Sequence, residues 1–225
     1  MGSGMKVLVG SDYHCDAVLQ QQALEAMGDV DWYIYCGDFC SWAGRQPEAG
    51  QAGFHPRGAV ELEQLQAFWR QLDAVGPPWL FVPGNHEPPA ETLEDLFARS
   101  DLRNGTLVSK TQILEIGHLQ ALIVPLTPPC GWCWSLSRDR LKELQATYKD
   151  SKVDLLITHA PPKGTLDERG QWYRGKIPTL APLVQQLVPK YYLCGHMHLD
   201  GGKSEVKNGT TYVNAALHNV VIEIG

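Results

Sequence analysis

The sequence predicts an α/β protein in which two mixed sheets pack face to face and helices cover both outer faces, a four-layer α-β-β-α sandwich. Three observations carry this expectation. Apolar runs of strand length alternate with segments of helical spacing, and short apolar runs separated by turn residues fit antiparallel pairs. Five of the apolar runs end directly in Asp, Asn or His: VGSDYH, YIYCGD, FVPGNHE, LLITHA and YYLCGHMH. Ligands in open α/β sheets sit beyond the carboxyl ends of the strands, so these five endings are expected to share one edge of the fold.

Along the chain, Lys6 to Val9 is a short apolar run that reads as a buried strand. Ala17 to Met27 places Val18, Leu19, Ala23, Leu24 and Met27 at helical spacing, and Asp31 to Cys36 returns to strand composition. Phe39 to Gly58, rich in Gly, Pro and Ala, reads as a surface excursion near the site. Val60 to Val75 carries Leu62, Leu65, Phe68, Trp69 and Leu72 on one helical face, and Gly76-Pro77-Pro78 stops it before a strand at Trp79 to Val82. Thr106 to Val108, Thr111 to Ile116 and Leu119 to Val124 read as adjacent antiparallel strands, the last two joined at Gly117-His118. A helix over Arg138 to Tyr148, a strand over Val153 to Ile157, a helix over Thr179 to Leu187 and a strand over Tyr191 to Cys194 follow. The end reads as Ser204 to Lys207, a turn at Asn208-Gly209, Thr211 to Val213, and Val220 to Ile222; Asn-Gly is the strongest short hairpin signal.

Composition limits the function. At 225 residues the chain can bury roughly 70% of its unfolded surface, enough for a self-sufficient core. No internal repeat and no internal boundary divides it, so residues 5–225 are expected to form one domain, with MGSG at 1–4 a cloning remnant. A net charge of -6 without a basic, aromatic-interleaved stripe argues against binding a nucleic-acid polymer. No apolar stretch is long enough to span a membrane and no secretory h-region opens the chain, so a cytoplasmic location and no membrane association are expected. Six cysteines are too few for a disulfide scaffold and read as reduced packing residues.

The polar endings supply the chemistry. Asp12, His14, Asp38, Asn85, His86, His159, His196 and His198 offer imidazoles, carboxylates and an amide oxygen, a mixed set suited to Zn, Mn, Fe, Co or Ni. Seven or eight such groups are too many for one tetrahedral ion and suit two ions about 3.5–4 Å apart. A lone His is more often a hydrogen-bonded or surface residue, but five of the eight histidines share this context after a strand.

Taken in order, Asp12-x-His14, Gly37-Asp38, Gly84-Asn85-His86-Glu87, His159 and Gly195-His196-x-His198 resemble the motifs of the calcineurin-like metallophosphoesterase superfamily over essentially the whole chain. Thr158-His159-Ala160-Pro161-Pro162, followed by Gly164-Thr165-Leu166-Asp167, resembles its small bacterial and archaeal phosphoesterases. The resemblance implies that Asp12, His14 and His198 hold one divalent transition-metal ion and Asn85, His159 and His196 the other, with Asp38 bridging both. Manganese is the ion expected to serve in vitro, with Fe, Zn, Ni or Co as alternatives. A water activated by both cations would attack phosphorus in line, and His86, outside the ligand set, would donate to a phosphoryl oxygen or protonate the leaving oxygen. His86 bracing the site through Asp12 or Asp38 is the alternative. The implied activity is hydrolysis of a phosphodiester or phosphomonoester of a small molecule or nucleotide; a noncatalytic metal-binding scaffold of the same fold and a nuclease are the competing readings.

Several residues lie outside the pattern. Cys15 stands where the superfamily has Gly, a position at which a side chain constrains the backbone. Cys130-Gly131-Trp132-Cys133 lacks the setting of a redox or zinc CxxC. Its loop, with Pro128, Pro129, Trp132 and Trp134, reads as an aromatic wall over the pocket or a contact within a homo-oligomer. Arg169, Arg174 and Lys176 beside Trp172 and Tyr173, and likewise His55 and Arg57, could reach a second phosphate, although a charged loop is ordinarily a solvated one. Asn214, just after a strand, is a candidate brace.

Overall fold

A computed structural model of the chain describes residues 4–43, 56–129, 133–167 and 177–225. Among the described residues eleven strands form two sheets. The first runs in the order β11 (His218–Ile224), β1 (Met5–Ser11), β2 (Trp32–Tyr35), β3 (Trp79–Phe81), β4 (Gly105–Leu107). The second runs β5 (Gln112–Ile116), β6 (Leu119–Val124), β7 (Leu155–Thr158), β8 (Tyr191–Cys194), β10 (Thr210–Asn214), β9 (Lys203–Lys207). Both sheets are mixed: β1, β2, β3 and β4 are parallel and β11 joins β1 antiparallel, while β6, β7, β8 and β10 are parallel with antiparallel β5 and β9 at the edges.

Period-2 alternation along the central strands explains the layering. Val7, Val9, Ile34, Leu80, Ala121, Ile123, Leu155, Ile157 and Leu193 point into one cluster between the sheets. Their neighbours point the other way: Leu8, Tyr33, Tyr35, Trp79 and Phe81 pack outward with Leu65, Phe68, Trp69 and Leu72 of α2 (Pro56–Val75) and Ala23 and Met27 of α1 (Ala17–Met27). On the other outer face Leu122, Val124, Leu156 and Tyr192 meet Leu141 and Leu144 of α4 (Arg138–Thr147) and Leu183 and Val184 of α5 (Ala181–Leu187). Central strands covered on both faces must be apolar at nearly every position, hence the continuous apolar runs in the sequence. Each fully buried aliphatic side chain contributes about 1.5–3 kcal/mol through area removed from water.

Local signals set the element ends. Asp16 caps α1 by accepting from the amides of Val18 and Leu19 at 2.8 and 3.1 Å. The β9–β10 hairpin turns at Asn208 and Gly209, both at positive φ (50° and 84°), as a two-residue turn of matching twist requires.

Two expectations need correction. Residues 106 and 107 of that run belong to β4, which pairs parallel with β3 in the first sheet and is no neighbour of β5 and β6. The crossover between β3 and β4 is α3 (Ala90–Ala98), a helix absent from the sequence-based expectation, which buries Leu93 and Leu96. Among the described residues no helix is long and apolar enough to cross a membrane.

Candidate metal centre

Loops from both sheets meet at the carboxyl ends of β1, β2, β3, β7 and β8, bringing together residues distant in sequence. The backbone there is strained: Asp12, His14, Cys15, Asp38 and His196 lie at φ 59°, 47°, 64°, 59° and 69°. Left-handed backbone costs a non-glycine residue about 1–2 kcal/mol, and surrounding bonds must hold it in place. Asp12 N donates to Gly37 O at 2.8 Å, His14 N to Asp38 O at 3.2 Å and Cys15 N to Phe39 O at 2.8 Å, lacing the first loop to the second. Cys15 therefore occupies a conformation that glycine adopts freely. Gly195 is required on different grounds: a Cβ there would lie 1.9 Å from Ser11 Oγ and 2.2 Å from Asp12 Oδ2, so only glycine lets the β8 loop close on the β1 loop.

Ligand-type atoms form two groups, Asp12 with His14 and His198, and Asp38 with His159 and His196, and within each group they lie within 4.8 Å of one another. Asp12 Oδ1 is 3.2 Å from His198 Nε2, and Oδ2 accepts from Ser11 Oγ at 2.6 Å and His196 N at 2.8 Å. Asp38 Oδ2 is 3.1 Å from His159 Nε2, which is itself 3.1 Å from His196 Nδ1. The outer nitrogens have carbonyl partners: His159 Nδ1 faces Cys36 O at 2.7 Å and His14 Nδ1 faces Cys40 O at 3.0 Å. Those partners turn each Nε2 toward the centre and favour the tautomer whose Nε2 lone pair can hold a cation.

Electrostatics follow from burial among neighbouring charges. Burial, the largest single influence, would raise Asp12 and Asp38, but the charge of His159 together with hydrogen bonds from His198 and Ser11 to Asp12 and from His159 to Asp38 outweighs it and holds both carboxyls below their ordinary range. Burial would lower His159, yet Asp38 and Asp12 push it up to about 10. His196 goes the other way, to about 4, through burial and repulsion from His159. His198 is raised by its hydrogen bond to Asp12.

Asn85 tests whether these residues suit cations. It is 4% exposed, and its Oδ1 has no hydrogen-bond partner among the described residues. A buried carbonyl without a donor forfeits about 1–3 kcal/mol, which a cation would restore. Its chain neighbours both touch Asp38: His86 N donates to Asp38 Oδ1 at 2.8 Å, and a Cβ on Gly84 would fall 2.3 Å from that oxygen. The orphaned oxygen, two carboxylates and converging imidazoles fit a pair of divalent transition metals.

His86 stands apart from both groups. Its Nδ1 is 2.8 Å from Ser41 O, and its Nε2 lies 4.0 Å from Asp38 Oδ2, so Asp38 rather than Asp12 is its carboxylate neighbour. Asn214 braces the β8 loop, donating from Nδ2 to Met197 O at 2.9 Å and accepting from Ala216 N at 2.9 Å. Sequence reasoning gave Glu87 no role, yet it is fully buried and accepts from the amides of Asp38, Phe39, Cys40 and Gly84. Its place directly after Asn85-His86 was the only signal for it.

Other candidates resolve differently. Trp134 is no pocket wall: it is 6% exposed, packs in the outer core of the first sheet, and donates from Nε1 to Pro88 O at 3.1 Å. Cys36, Cys40 and Cys194 are buried free thiols raised by burial, and Cys15 is pushed up to about 12 by burial and by Glu61 and Glu87, which suits packing rather than redox chemistry. Cys133 is exposed. Arg57 lies over the Trp42 ring, 5.3 Å from its centroid. His118 is in the β5–β6 turn, and His218 opens β11. His55, Cys130, Trp132, Arg169, Trp172, Tyr173, Arg174 and Lys176 lie outside the described residues.

One solved structure superposes with a TM-score of 0.73 at 14% identity, covering 99% of this chain and 100% of the other. TT1561 of Thermus thermophilus does so with a TM-score of 0.62 at 17% identity, covering 95% and 90%. Both likenesses show the fold. In sequence the chain is 32% identical over 92 residues to the human Metallophosphoesterase domain-containing protein 1, covering 40% of this chain and 28% of that protein. It is 36% identical over 85 residues to UPF0046 protein K07C11.7 of Caenorhabditis elegans, covering 36% of this chain and 28% of that protein. The chain thus covers less than a third of these relatives' length. A family model matches from residue 5 to residue 200, across all five loops of the centre, and the chain belongs to the calcineurin-like phosphoesterase family.

Proposed function

We propose that residues 5–225 act as one domain that hydrolyses phosphoester bonds of a small molecule or nucleotide, as a phosphodiesterase or phosphatase, using two divalent transition-metal ions. The observation that carries the reading is the unpartnered, buried Oδ1 of Asn85 beside two convergent carboxylate–imidazole groups. Asp12, His14 and His198 would hold one ion, Asn85, His159 and His196 the other, and Asp38 would bridge both. Manganese is the choice for reconstitution, with Fe, Zn, Ni and Co as alternatives. When bound, the ions lower the pKa of water and offset charge on phosphoryl oxygens.

The chain's own groups do the rest. Carbonyl partners of His14 and His159 fix ring orientation, so the site is set before substrate arrives. Glu87 gathers the amides of residues 38–40 and 84, holding Asp38 against Asn85 and His86. His86, with its side chain 27% exposed and Nδ1 turned to Ser41 O, presents Nε2 at the rim. From there Nε2, once it has taken up a proton, would donate to a phosphoryl oxygen or pass that proton to the leaving oxygen, while Nδ1–H stays on Ser41 O.

The test pairs elemental analysis of protein purified without added metal with hydrolysis of bis-p-nitrophenyl phosphate and p-nitrophenyl phosphate after Mn²⁺ reconstitution. About two ions per chain with turnover is expected. Failure to bind metal after reconstitution would overturn the reading.

A further inference from the structure

Ser41, Trp42 and Ala43 form a bend beyond the Asp38 loop, with no strand ladder to take their amide N–H groups. All three donate to one oxygen, Oε2 of Glu61 on α2, at 3.0, 2.7 and 3.1 Å. Glu61 is 8% exposed, on a helix that also buries Leu65, Phe68 and Leu72. A carboxylate in such surroundings is costly unless donors surround it, and these donors are backbone groups from a loop about twenty residues earlier. The loop it gathers touches two histidines of the centre. Ser41 O faces His86 Nδ1 at 2.8 Å, Ser41 Oγ lies 3.2 Å from His14 Nδ1, and the two rings meet edge to face with centroids 5.2 Å apart.

We propose that Glu61 is a positioning residue: through the amides of residues 41–43 it fixes the Ser41 carbonyl, and thereby holds His86 as the Nδ1–H tautomer with Nε2 turned toward Asp38. The segment belongs to no sheet, so no strand ladder fixes the Ser41 peptide. For the reaction rate this inference rests on the phosphoesterase reading above; for the ring tautomer it does not.

The experiment compares wild type with Glu61→Leu by long-range ¹H–¹⁵N correlation of the imidazoles and, in Mn²⁺-loaded protein, by kcat and KM on bis-p-nitrophenyl phosphate. Wild type should show His86 protonated at Nδ1, and Glu61→Leu a mixture of tautomers. The kcat of Glu61→Leu should fall about 10–100-fold with little change in KM, the usual loss when a group that orients an active-site histidine is removed. In a His86→Ala background the same substitution should lower kcat less than about twofold, because two residues acting through one another are not additive. A folded Glu61→Leu protein that keeps the Nδ1–H tautomer, or loses rate equally in both backgrounds, overturns the proposal. If Glu61→Leu does not fold, Glu61→Asp, which keeps the charge one methylene short of the amides, is judged by the same criteria. Wild type that binds metal yet hydrolyses neither p-nitrophenyl ester would count against the phosphoesterase reading, while the tautomer comparison still decides Glu61.

Discussion

Replacing Glu87 by Gln isolates what holds the second loop together. The carboxylate divides its work evenly: Oε2 accepts from Asp38 N at 2.8 Å and Gly84 N at 2.5 Å, and Oε1 from Phe39 N at 2.7 Å and Cys40 N at 3.1 Å. Glutamine has the same shape but only one acceptor oxygen, so in either flip its NH₂ faces two backbone donors. Two buried N–H groups left unpaired cost about 1–3 kcal/mol each. Removing a charge from beside Asp38 returns part of that, and the net destabilisation is expected near 3 kcal/mol. For a chain of this size that lowers Tm by about 6–12 °C. Burial and the charge of Asp38 push Glu87 up to about 7, so the comparison belongs at pH 8, where the group is ionised. Thermal unfolding of both proteins in EDTA, followed by circular dichroism, reads the difference directly. A Tm change under about 2 °C would refute the reasoning, because four donors would then be satisfied equally well by a group that can accept from only two.

Asp38→Asn should lower metal occupancy and reduce turnover by at least about a hundredfold, measured by elemental analysis and p-nitrophenyl ester hydrolysis; unchanged metal and rate would remove Asp38 from the centre. His86→Ala should keep most of its metal and lose rate, and loss of both ions would make His86 a ligand. Metal uptake at pH 7 should release about one proton, because Asp38 and Asp12 hold His159 protonated up to about 10 and a ligand nitrogen must be bare. Calorimetry in buffers of different ionisation enthalpy checks this, with affinity rising with pH up to that value; zero protons released contradicts it. Val188→Gly should raise Tm by a few degrees, since this β-branched residue is left-handed at φ 46° and 54% exposed where α5 ends. Thermal unfolding of that variant measures the gain, and a lower Tm would show that Val188 makes a contact worth more than the strain.

Much of the fold was legible because its strands are buried on both faces. Continuous apolar runs such as those around Leu8, Ile34 and Leu156 can be little else, and Asn208-Gly209 marked its hairpin. The misplacement of β4 has one root: α3 follows Pro88-Pro89 and is only nine residues long, so the helical spacing of Ala90, Leu93, Leu96 and Phe97 is too short a run to stand out as a helix. Without that crossover, 106–108 looked continuous with the strands after it. The candidate ligands were legible because each follows a strand as a residue type that metals prefer. Glu61, Glu87 and the Ser41 carbonyl were not, because their partners are backbone amides and imidazole nitrogens brought close only by the fold, and a backbone donor has no letter in a sequence.

The antiparallel pairing of β1 with β11 has a consequence for how the protein is made. The outer edge of β1 is closed by residues 218–224, whereas every candidate ligand lies at or before residue 198. During synthesis the candidate ligands therefore leave the ribosome before residues 218–224 do, and until those residues follow, β1 offers an unpaired edge. Pairing of that edge with a neighbouring nascent chain competes with correct closure for as long as residues 218–224 are inside the exit tunnel.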